Sequence, residues 1–432
     1  MSDSLFRRLL ALCAGVGLGL RVGYVFHARP GVVEGGDAET YRLLAELLAD
    51  GEGYIRPREF LFTGERIATA EFPPLWPMVL AVLDVVGFDT PNQQRAFGAV
   101  IGCVTVVVVG LLAAAVADRR VGGLAAGLAA ISPQLIVLDG SLHAESLAIM
   151  LVSLGLLGAV RGGYDRGLVG GRRWWLLASV AFGLAALARS ETVLVAIVVI
   201  ALAARPAARG VWLRTVAVGL VGVVVCLGAW TVRNAVSLGD LQPLTNNSGT
   251  LIAGSNCDAV YGGSQIGLWR FDCVLAVDTA DLDESAAAAA RRSAGIDHAL
   301  DHVSALPAVG AVRVLRTFGL WDIRSQIFFE SLEGRDYDWM WAGWFGWLVV
   351  AAAAVVGTIS SRRRRERWPE RRLLLVPIGM VMLTALVSYG NQRFRAIAEP
   401  GTLVLAAIGI RAGFDRWRRR AGQGAQAPTG SS

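Results

Sequence analysis

Long apolar runs alternate with short polar segments along most of this chain. The polar segments between the runs are rich in arginine. A helix needs about 20 mostly apolar residues to cross a bilayer. The pattern therefore predicts an all-α polytopic membrane protein with about ten transmembrane helices, near residues 9–26, 95–117, 121–138, 142–160, 174–187, 192–204, 211–232, 341–359, 373–389 and 396–410.

The composition agrees with a membrane protein. Hydrophobic residues make up 54% of the 432 residues and charged residues only 18%, whereas soluble domains carry about 25% charged residues. For the first run, a cleaved signal peptide is the alternative to a membrane anchor. Arg21 interrupts this run and no clear small-residue cleavage site follows it, so we expect an uncleaved anchor.

The distribution of positive charge predicts the orientation. The sequence contains no lysine, and its arginines cluster at residues 7–8, 118–120, 161–173, 205–209, 362–372 and 411–420. Positively charged loops stay in the cytoplasm, and ten crossings place every cluster there. The net charge of +6 therefore reflects membrane topology, and we expect no nucleic-acid partner.

The same topology divides the chain into six regions and leaves the apolar run at residues 75–88 without a crossing. We interpret that run as a re-entrant or surface-lying segment of the first external loop. The regions are a first transmembrane helix (1–27), an external loop with amphipathic helices (28–92), a transmembrane bundle (93–233), a second external segment (234–340), the C-terminal transmembrane helices (341–412) and a disordered cytoplasmic tail (413–432).

Two of the five cysteines lie outside the apolar runs. Cys257 and Cys273 share the second external segment, where oxidation is permitted. A disulfide between them is one interpretation, and two free thiols in an ordinary loop is the other. Cys13, Cys103 and Cys226 lie within apolar runs, where cysteine packs as a small hydrophobic residue.

Two carboxylates flank the polar loop that follows the first helix. Asp37 is the second residue of the sequence Gly-Asp-Ala-Glu-Thr-Tyr, and Glu71 precedes Phe-Pro-Pro-Leu-Trp-Pro. Acidic residues close to hydrocarbon are costly unless they have a function. The apolar spacing in residues 38–49 predicts an amphipathic helix that begins at Asp37, so a helix cap explains Asp37 as well as catalysis does. For Glu71 the alternative is a solvated loop acid.

Further polar candidates lie at the predicted external ends of the helices. His143 and Glu145 are two positions apart, so they diverge if a helix has begun there, which argues against a shared metal site. A favourable helix-start acid is the alternative for Glu145. Arg189 lies next to Glu191, with which it could simply pair.

Two later segments complete the set of candidates. Trp230-Thr-Val-Arg233-Asn leads into a turn-rich loop that contains Asn246 and Asn247. Arg393 and Arg395 lie on the predicted external side, against the positive-inside tendency. Arginine binds phosphate through paired hydrogen bonds, so these two residues indicate an anion site. Contact with lipid headgroups is the alternative.

These motifs together resemble GT-C glycosyltransferases. The likeness rests on the Gly-Asp-x-x-x-Tyr loop that ends in Pro-Pro-Leu-x-Pro, on Trp-x-x-Arg-Asn at residues 230–234, and on residues 389–400, which are similar to the family's Arg-Tyr-x-x-x-x-x-Pro element with Phe394 in place of tyrosine. Within the superfamily the chain is most similar to the protein mannosyltransferase and aminoarabinose transferase group. The resemblance implies the GT-C fold, with Asp37 as the catalytic base and substrate-binding roles for Glu71, His143, Glu145, Arg189, Arg233, Asn246, Asn247, Arg393 and Arg395.

The resemblance also implies the reaction. We expect a multi-pass enzyme of the cell membrane that moves a sugar from a polyprenyl-phosphate donor to an acceptor hydroxyl on the external face, with inversion. Protein, glycan and lipid acceptors remain open, and so does a divalent cation; no cofactor is certain. A transporter or flippase for a lipid-linked or small anionic substrate is the alternative, although the polar residues crowd one face and no inverted repeat is visible.

Overall fold

The computed structural model describes residues 1–28, 35–163, 167–204, 209–363 and 367–424, and within these ranges the protein is α-helical. The first half contains α1 (Asp3–Gly23, continued by a π-helical turn at Tyr24–Ala28), α2 (Asp37–Ala49), α3 (Pro57–Thr63), α4 (Leu75–Val85), α5 (Pro91–Val116), α6 (Arg119–Ile131), α7 (Pro133–Asp139), α8 (Glu145–Gly162), α9 (Gly167–Ala188), α10 (Thr192–Ala203) and α11 (Arg209–Leu238).

The second half alternates short helices with two long ones. It contains α12 (Ser248–Ser255), α13 (Phe271–Leu275), α14 (Glu284–Asp301), α15 (Leu306–Thr317), α16 (Ile323–Leu332), α17 (Tyr337–Arg363), α18 (Trp368–Arg371), α19 (Val376–Val387) and α20 (Glu399–Gly424). Short 3-10 turns connect several of them, including Gln392–Ala398 immediately before α20.

The all-α polytopic architecture predicted from the sequence is confirmed. Among the described residues six helices are long and apolar enough to cross a membrane, namely Asp3–Ala28, Pro91–Val116, Glu145–Gly162, Gly210–Leu238, Tyr337–Arg363 and Gln392–Arg420. The pair α6 and α7 makes a seventh if it is counted as one span bent by 58°. The bend lies at Ser132-Pro133, because a proline interrupts the helical hydrogen bonds.

Two of the predicted crossings form short helices. Helices α10 and α19 have 12 residues each, which corresponds to about 18 Å at 1.5 Å per residue, less than the thickness of a bilayer core. The leftover run forms α4, whose 11 residues reach only about 16 Å. The helix is therefore too short to cross, in agreement with its interpretation as a re-entrant or surface segment.

Arginines from distant parts of the chain collect at one end of the helix bundle. Arg119 lies 2.7 Å from Asp3, Arg367 donates to the carbonyl of Ala117, and Arg371 Nε donates to the carbonyl of Val116 at 3.1 Å. Helices α1, α5 and α20 run between this basic end and the end that carries the candidate site. Residues 164–166, 205–208 and 364–366, which belong to three of the predicted arginine clusters, lie outside the described residues.

A buried ion pair explains the arginine that interrupts the first apolar run. Arg21 Nε donates to Asp139 Oδ2 at 2.6 Å, and its Nη1 donates to the carbonyls of Gly17 at 3.0 Å and Ala130 at 3.1 Å. A side chain at Gly102 would collide with this pair, since its Cβ would lie 2.1 Å from Asp139 Oδ2. The polar groups of this pair thus satisfy each other inside the bundle, as buried charges must.

The C-terminal region differs from the expectation. Residues 413–432 were predicted to be disordered, but residues 413–424 continue helix α20 as far as Gly424. The remaining residues, 425–432, lie outside the described part of the chain.

Candidate active site

Helix α2 begins where the sequence predicted it, and Asp37 is its first residue. The turn before it requires Gly36, whose φ of 68° lies in the left-handed region that favours glycine. The Asp37 carboxylate caps no backbone N–H of the helix; instead, its Oδ2 accepts a hydrogen bond from Arg393 Nη1 at 3.0 Å. The interpretation of Asp37 as a simple helix cap is therefore wrong.

Arg393 joins three carboxylates that come from distant parts of the chain. Its Nε donates to Glu145 Oε1 at 2.7 Å, while its Nη1 donates to Asp37 Oδ2 and to Glu333 Oε2 at 3.1 Å. The side chain of Glu145 is fully buried, and that of Asp37 is 39% exposed. The site is thus deeply buried on the Glu145 side and open to solvent on the Asp37 side.

Arg189 links the same carboxylate to a fourth acid. Arg189 Nη1 donates to Glu145 Oε1, and Arg189 Nε donates to Glu191 Oε1 at 2.6 Å. The predicted Arg189–Glu191 pair is therefore present, but it is part of a larger network. Burial alone would lower the pKa of the Arg189 guanidinium, yet this pKa is raised because Glu191 and Glu145 lie beside it.

A third arginine, Arg335, follows α16 and supports the network. Arg335 Nη1 donates to Glu330 Oε2 at 2.9 Å, and Arg335 Nη2 donates to Glu333 Oε2 at 3.4 Å. Glu330 Oε1 also accepts the backbone N–H of Gln392 at 3.0 Å, one residue before Arg393. We call the eight residues of this network the charge cluster: Asp37, Arg189, Glu145, Glu191, Glu330, Glu333, Arg335 and Arg393.

The sequence did not single out Glu330, Glu333 or Arg335. They lie in the second external segment, where charged residues are common and carry no signal. Their position immediately before the apolar run of α17 was the one feature that could have drawn attention to them.

His143 lies next to the charge cluster without joining it. Its side chain is buried and neither ring nitrogen has a hydrogen-bond partner in the described structure. Burial, reinforced by the positive charge of Arg393, holds the pKa of His143 well below its usual value. Among the described residues, His143, Glu145 and Asp37 do not bring three ligand atoms together as a metal site requires.

The structure does not bring Arg395 to the same place as Arg393. Arg395 Nε donates to Glu399 Oε1 at 3.1 Å, and its guanidinium lies 4.2 Å from the ring centre of Trp347. Both arginines belong to one 3-10 turn, in which residues two apart point in different directions because there are three residues per turn. A joint anion site of Arg393 and Arg395 is therefore not formed in this structure.

Arg233 braces the first loop. Its Nη1 donates to the carbonyl of Thr69 and its Nη2 to the carbonyl of Tyr54, both at 2.6 Å. Its guanidinium also lies 4.9 Å from the ring centre of Trp230. The structure thus places Arg233 against the backbone of the loop that contains Glu71, where it positions other residues.

A cleft of about 560 Å³ lies between the first loop and the second external segment, with helix α2 at one edge. Glu71, Asn246 and Asn247, three residues predicted to bind substrate, all line it, and so does Thr40, which follows Asp37 by one helical turn. The cleft therefore begins at the helix that carries Asp37.

Glu284, which no sequence pattern singled out, connects the walls of the cleft. Its Oε1 accepts from the backbone N–H of Ala70 at 2.7 Å and from Asn246 Nδ2 at 3.0 Å, and its Oε2 accepts from Arg56 Nε at 3.2 Å. The sequence offered no signal for this residue, since it is the first residue of an ordinary alanine-rich helix.

The Glu71 side chain faces the solvent inside the cleft. The cleft walls nevertheless surround its carboxyl group closely. This crowding, together with the negative charges of Glu284 and Asp37, raises the pKa of Glu71 to about 7. A carboxyl group with such a pKa changes its protonation state near neutral pH.

The second external segment contains a disulfide. Cys257 and Cys273 are bonded, with their Cα atoms 6.2 Å apart. The disulfide interpretation of these two cysteines is therefore confirmed, and the free-thiol interpretation is wrong.

Comparisons with known proteins agree with the predicted resemblance. Residues 72–232 match the family described as dolichyl-phosphate-mannose-protein mannosyltransferase. No curated protein sequence matches the chain.

Solved structures match over nearly the whole chain. The archaeal oligosaccharyltransferase AglB from Archaeoglobus fulgidus, in complex with an inhibitory peptide and a dolichol-phosphate, is 16% identical and has a TM-score of 0.54, covering 99% of this chain and 53% of that one. The A. fulgidus oligosaccharyltransferase tethered with an acceptor peptide is 15% identical, with a TM-score of 0.59 and coverages of 96% and 50%. ArnT from Cupriavidus metallidurans bound to undecaprenyl phosphate is 17% identical, with a TM-score of 0.41 and coverages of 99% and 80%. The chain thus spans about half the length of the archaeal enzyme.

Proposed function

Because the chain has the GT-C fold and carries a protein mannosyltransferase family segment at residues 72–232, we propose that it transfers a sugar from a polyprenyl-phosphate donor to an acceptor hydroxyl. The observation that carries the proposal is the contact of Arg393 with Asp37, Glu145 and Glu333. It brings together a cation for the leaving phosphate and a carboxylate for the acceptor proton.

The reaction needs no more than these groups. The acceptor oxygen attacks the anomeric carbon, and the bond from that carbon to the phosphate oxygen breaks. The phosphate leaves with the electron pair, and Arg393, supported by Arg189, stabilises its developing charge. Asp37 takes the proton of the acceptor hydroxyl as general base. A single displacement of this kind inverts the anomeric carbon.

Arg393 also couples donor binding to the base. Without substrate, its guanidinium neutralises Asp37 across 3.0 Å. An incoming phosphate competes for the same guanidinium, which has the geometry for paired bonds to phosphate. Donor binding thereby frees the Asp37 carboxylate to accept a proton when the sugar is in position. AglB with bound dolichol-phosphate supports a lipid phosphate as the ligand.

The cleft beside Asp37 is the acceptor site in this proposal. It reaches from Thr40 to Asn246 and Asn247 and offers carboxylate, amide and hydroxyl groups to a polar acceptor. The tethered acceptor peptide of the archaeal oligosaccharyltransferase makes a peptide the first acceptor to test. The positive-inside tendency supports an external location for this end of the bundle, because Arg119, Arg367 and Arg371 lie at the other end.

The proposal is tested with the purified protein in lipid nanodiscs. We expect it to consume a polyprenyl-phosphate sugar and release polyprenyl phosphate when an acceptor is added. Profiling of lipid-linked sugars in a deletion strain, where the unused donor accumulates, identifies the sugar to supply. Movement of that lipid across vesicle membranes without release of the sugar contradicts the proposal and favours the flippase alternative.

Glu71 gives this acceptor site a pH dependence. As the pH rises through about 7, the pKa of Glu71, its carboxyl loses a proton and becomes the stronger hydrogen-bond acceptor for a hydroxyl. We expect KM for the acceptor to fall between pH 6 and pH 8, and Glu71→Gln to remove this fall. The measurement is KM against pH at saturating donor.

Glu59→Gln is the matched control for this measurement. Glu59 lines the same cleft but pairs with Arg56 at 3.5 Å. Its profile should keep the fall in KM and move only slightly to lower pH, because Glu59 is one of the negative charges that raise the pKa of Glu71. An unchanged profile in Glu71→Gln, or the same change in both variants, contradicts a role of Glu71 in acceptor binding.

A further inference from the structure

Two histidines and an aspartate converge in the second external segment, away from the charge cluster. His298 lies in the last turn of α14, and His302 follows it by four residues as the C-terminal cap, so both lie on one face of the helix. Asp258 faces them from a short 3-10 turn that begins beside the disulfide residue Cys257. One potential ligand atom from each of the three lies within 4.8 Å of the other two.

The two imidazole rings lie against each other. They stack with their centres 4.2 Å apart, and Tyr261 contacts both rings edge-on. Nδ1 of His302 lies 2.9 Å from the carbonyl oxygen of His298. Because a carbonyl only accepts, Nδ1 carries the proton, and the Nε2 lone pair of His302 is free. Metal-binding histidines are typically oriented by such a bond from the other ring nitrogen.

The Nε2 atom of His298 has no hydrogen-bond partner in the described structure. It is also shielded from solvent. Asp258 Oδ1 lies 3.9 Å away, which is too far for a hydrogen bond.

From this geometry we propose that Asp258, His298 and His302 bind a zinc ion, or a similar divalent transition metal. Two imidazole nitrogens and a carboxylate oxygen suit zinc, with water as the fourth ligand. Ligand atoms of one tetrahedral zinc ion lie roughly 3.3 Å apart, so the side chains must draw together. The Asp258 side chain, 95% exposed, can rotate to do so.

The ion would link two parts of the external segment. It connects the disulfide loop at Asp258 to the C-terminal end of α14, whose N-terminal residue Glu284 holds the walls of the acceptor cleft. The expected effect is stabilisation of this segment, because a ligand that binds only the folded state raises its stability. The site is separate from the charge cluster and takes no part in the proposed reaction.

Zinc binding to the full-length protein tests the inference. After removal of metal with a chelator, we expect one equivalent of Zn²⁺ to bind and to raise the melting temperature. His302→Ala and Asp258→Ala should each weaken binding by more than the ~10- to 100-fold caused by loss of an outer hydrogen bond at a metal site. Both variants should lose the rise in melting temperature.

Two controls make the result specific. His27→Ala is the matched variant. In both His27 and His302, Nδ1 lies within hydrogen-bond distance of the carbonyl oxygen four residues earlier, at 3.1 Å from Gly23 and 2.9 Å from His298. His27→Ala should bind zinc like the wild type. Asp37→Asn should also retain the effect, which separates this site from any ion at the charge cluster. An absence of zinc binding, or binding that persists in His302→Ala and Asp258→Ala, overturns the proposal.

Discussion

Replacement of Asp37 by asparagine is expected to reduce sugar transfer by about 10²- to 10⁴-fold, the contribution of a general base. Asparagine keeps the size of the side chain but cannot take the proton of the acceptor hydroxyl. The fold should remain, because Asp37 is partly exposed and Arg393 keeps its contacts with Glu145 and Glu333. The rate of polyprenyl phosphate release and the melting temperature measure the two effects.

Asp50→Asn is the control for the loss of negative charge from this helix. Asp50 is exposed and terminates the same helix, α2. Its variant should transfer sugar at the wild-type rate. If Asp37→Asn retains full activity, or if both variants lose it equally, Asp37 is not the base.

Much of the fold could be predicted because hydrocarbon imposes a simple rule. A helix that crosses a bilayer must satisfy its backbone internally and present apolar side chains, so the long helices appear directly in the sequence. The rule does not fix where a helix ends. Helices α10 and α19 stop after 12 residues, and the break between α6 and α7 depends on Pro133 within one predicted crossing.

The site was predictable where charge stands out against an apolar background. Asp37, Glu145 and Arg393 lie at the ends of apolar runs, and the structure brings them together. Glu284 and Glu333 lie in a polar segment, where a solvated acidic residue carries no desolvation cost. Its presence in the sequence therefore does not indicate a function. The roles of these two residues emerge only from tertiary contacts.

The direction of a side chain was the other quantity that the sequence could not supply. Arg393 and Arg395 share one short motif, yet one contacts the charge cluster and the other contacts Trp347 and Glu399. Arg233 similarly fits a binding motif but supports the backbone of the first loop. A motif identifies which residues are present, and the backbone geometry decides which of them reach a substrate.

The charge cluster contains five carboxylates and three arginines, which at first sight disfavours a phosphate. Glu330 is already paired with Arg335 at 2.9 Å, so its negative charge is largely offset within the cluster. The remaining carboxylates hold Arg393 and Arg189 in fixed positions, so that these arginines need little reorganisation when the phosphate charge develops. A phosphate that approaches Arg393 from the open Asp37 side avoids the buried Glu145.

Arg393→Lys is expected to lower the transfer rate by about 10²-fold, the effect of losing one fixed donor to a developing anion. Lysine keeps the charge, but its compact ammonium group cannot reproduce the planar fork that contacts Glu145 through Nε and Asp37 through Nη1. Because the phosphate charge grows during the reaction, kcat should fall more than KM for the donor rises. Single-turnover rates at saturating donor separate the two quantities.

Arg393→Met and Arg324→Lys complete this test. Methionine removes the cation from the buried side of the cluster. Loss of one partner of a buried ion pair typically lowers the free energy of unfolding by about 3–5 kcal/mol. We expect about 3 kcal/mol, because Arg189 still pairs with Glu145. Arg324 is exposed on α16, so its lysine variant should behave like the wild type. If Arg393→Lys matches Arg324→Lys in rate, any cation at this position suffices, and the coupling of donor binding to the release of Asp37 through a guanidinium fork is wrong.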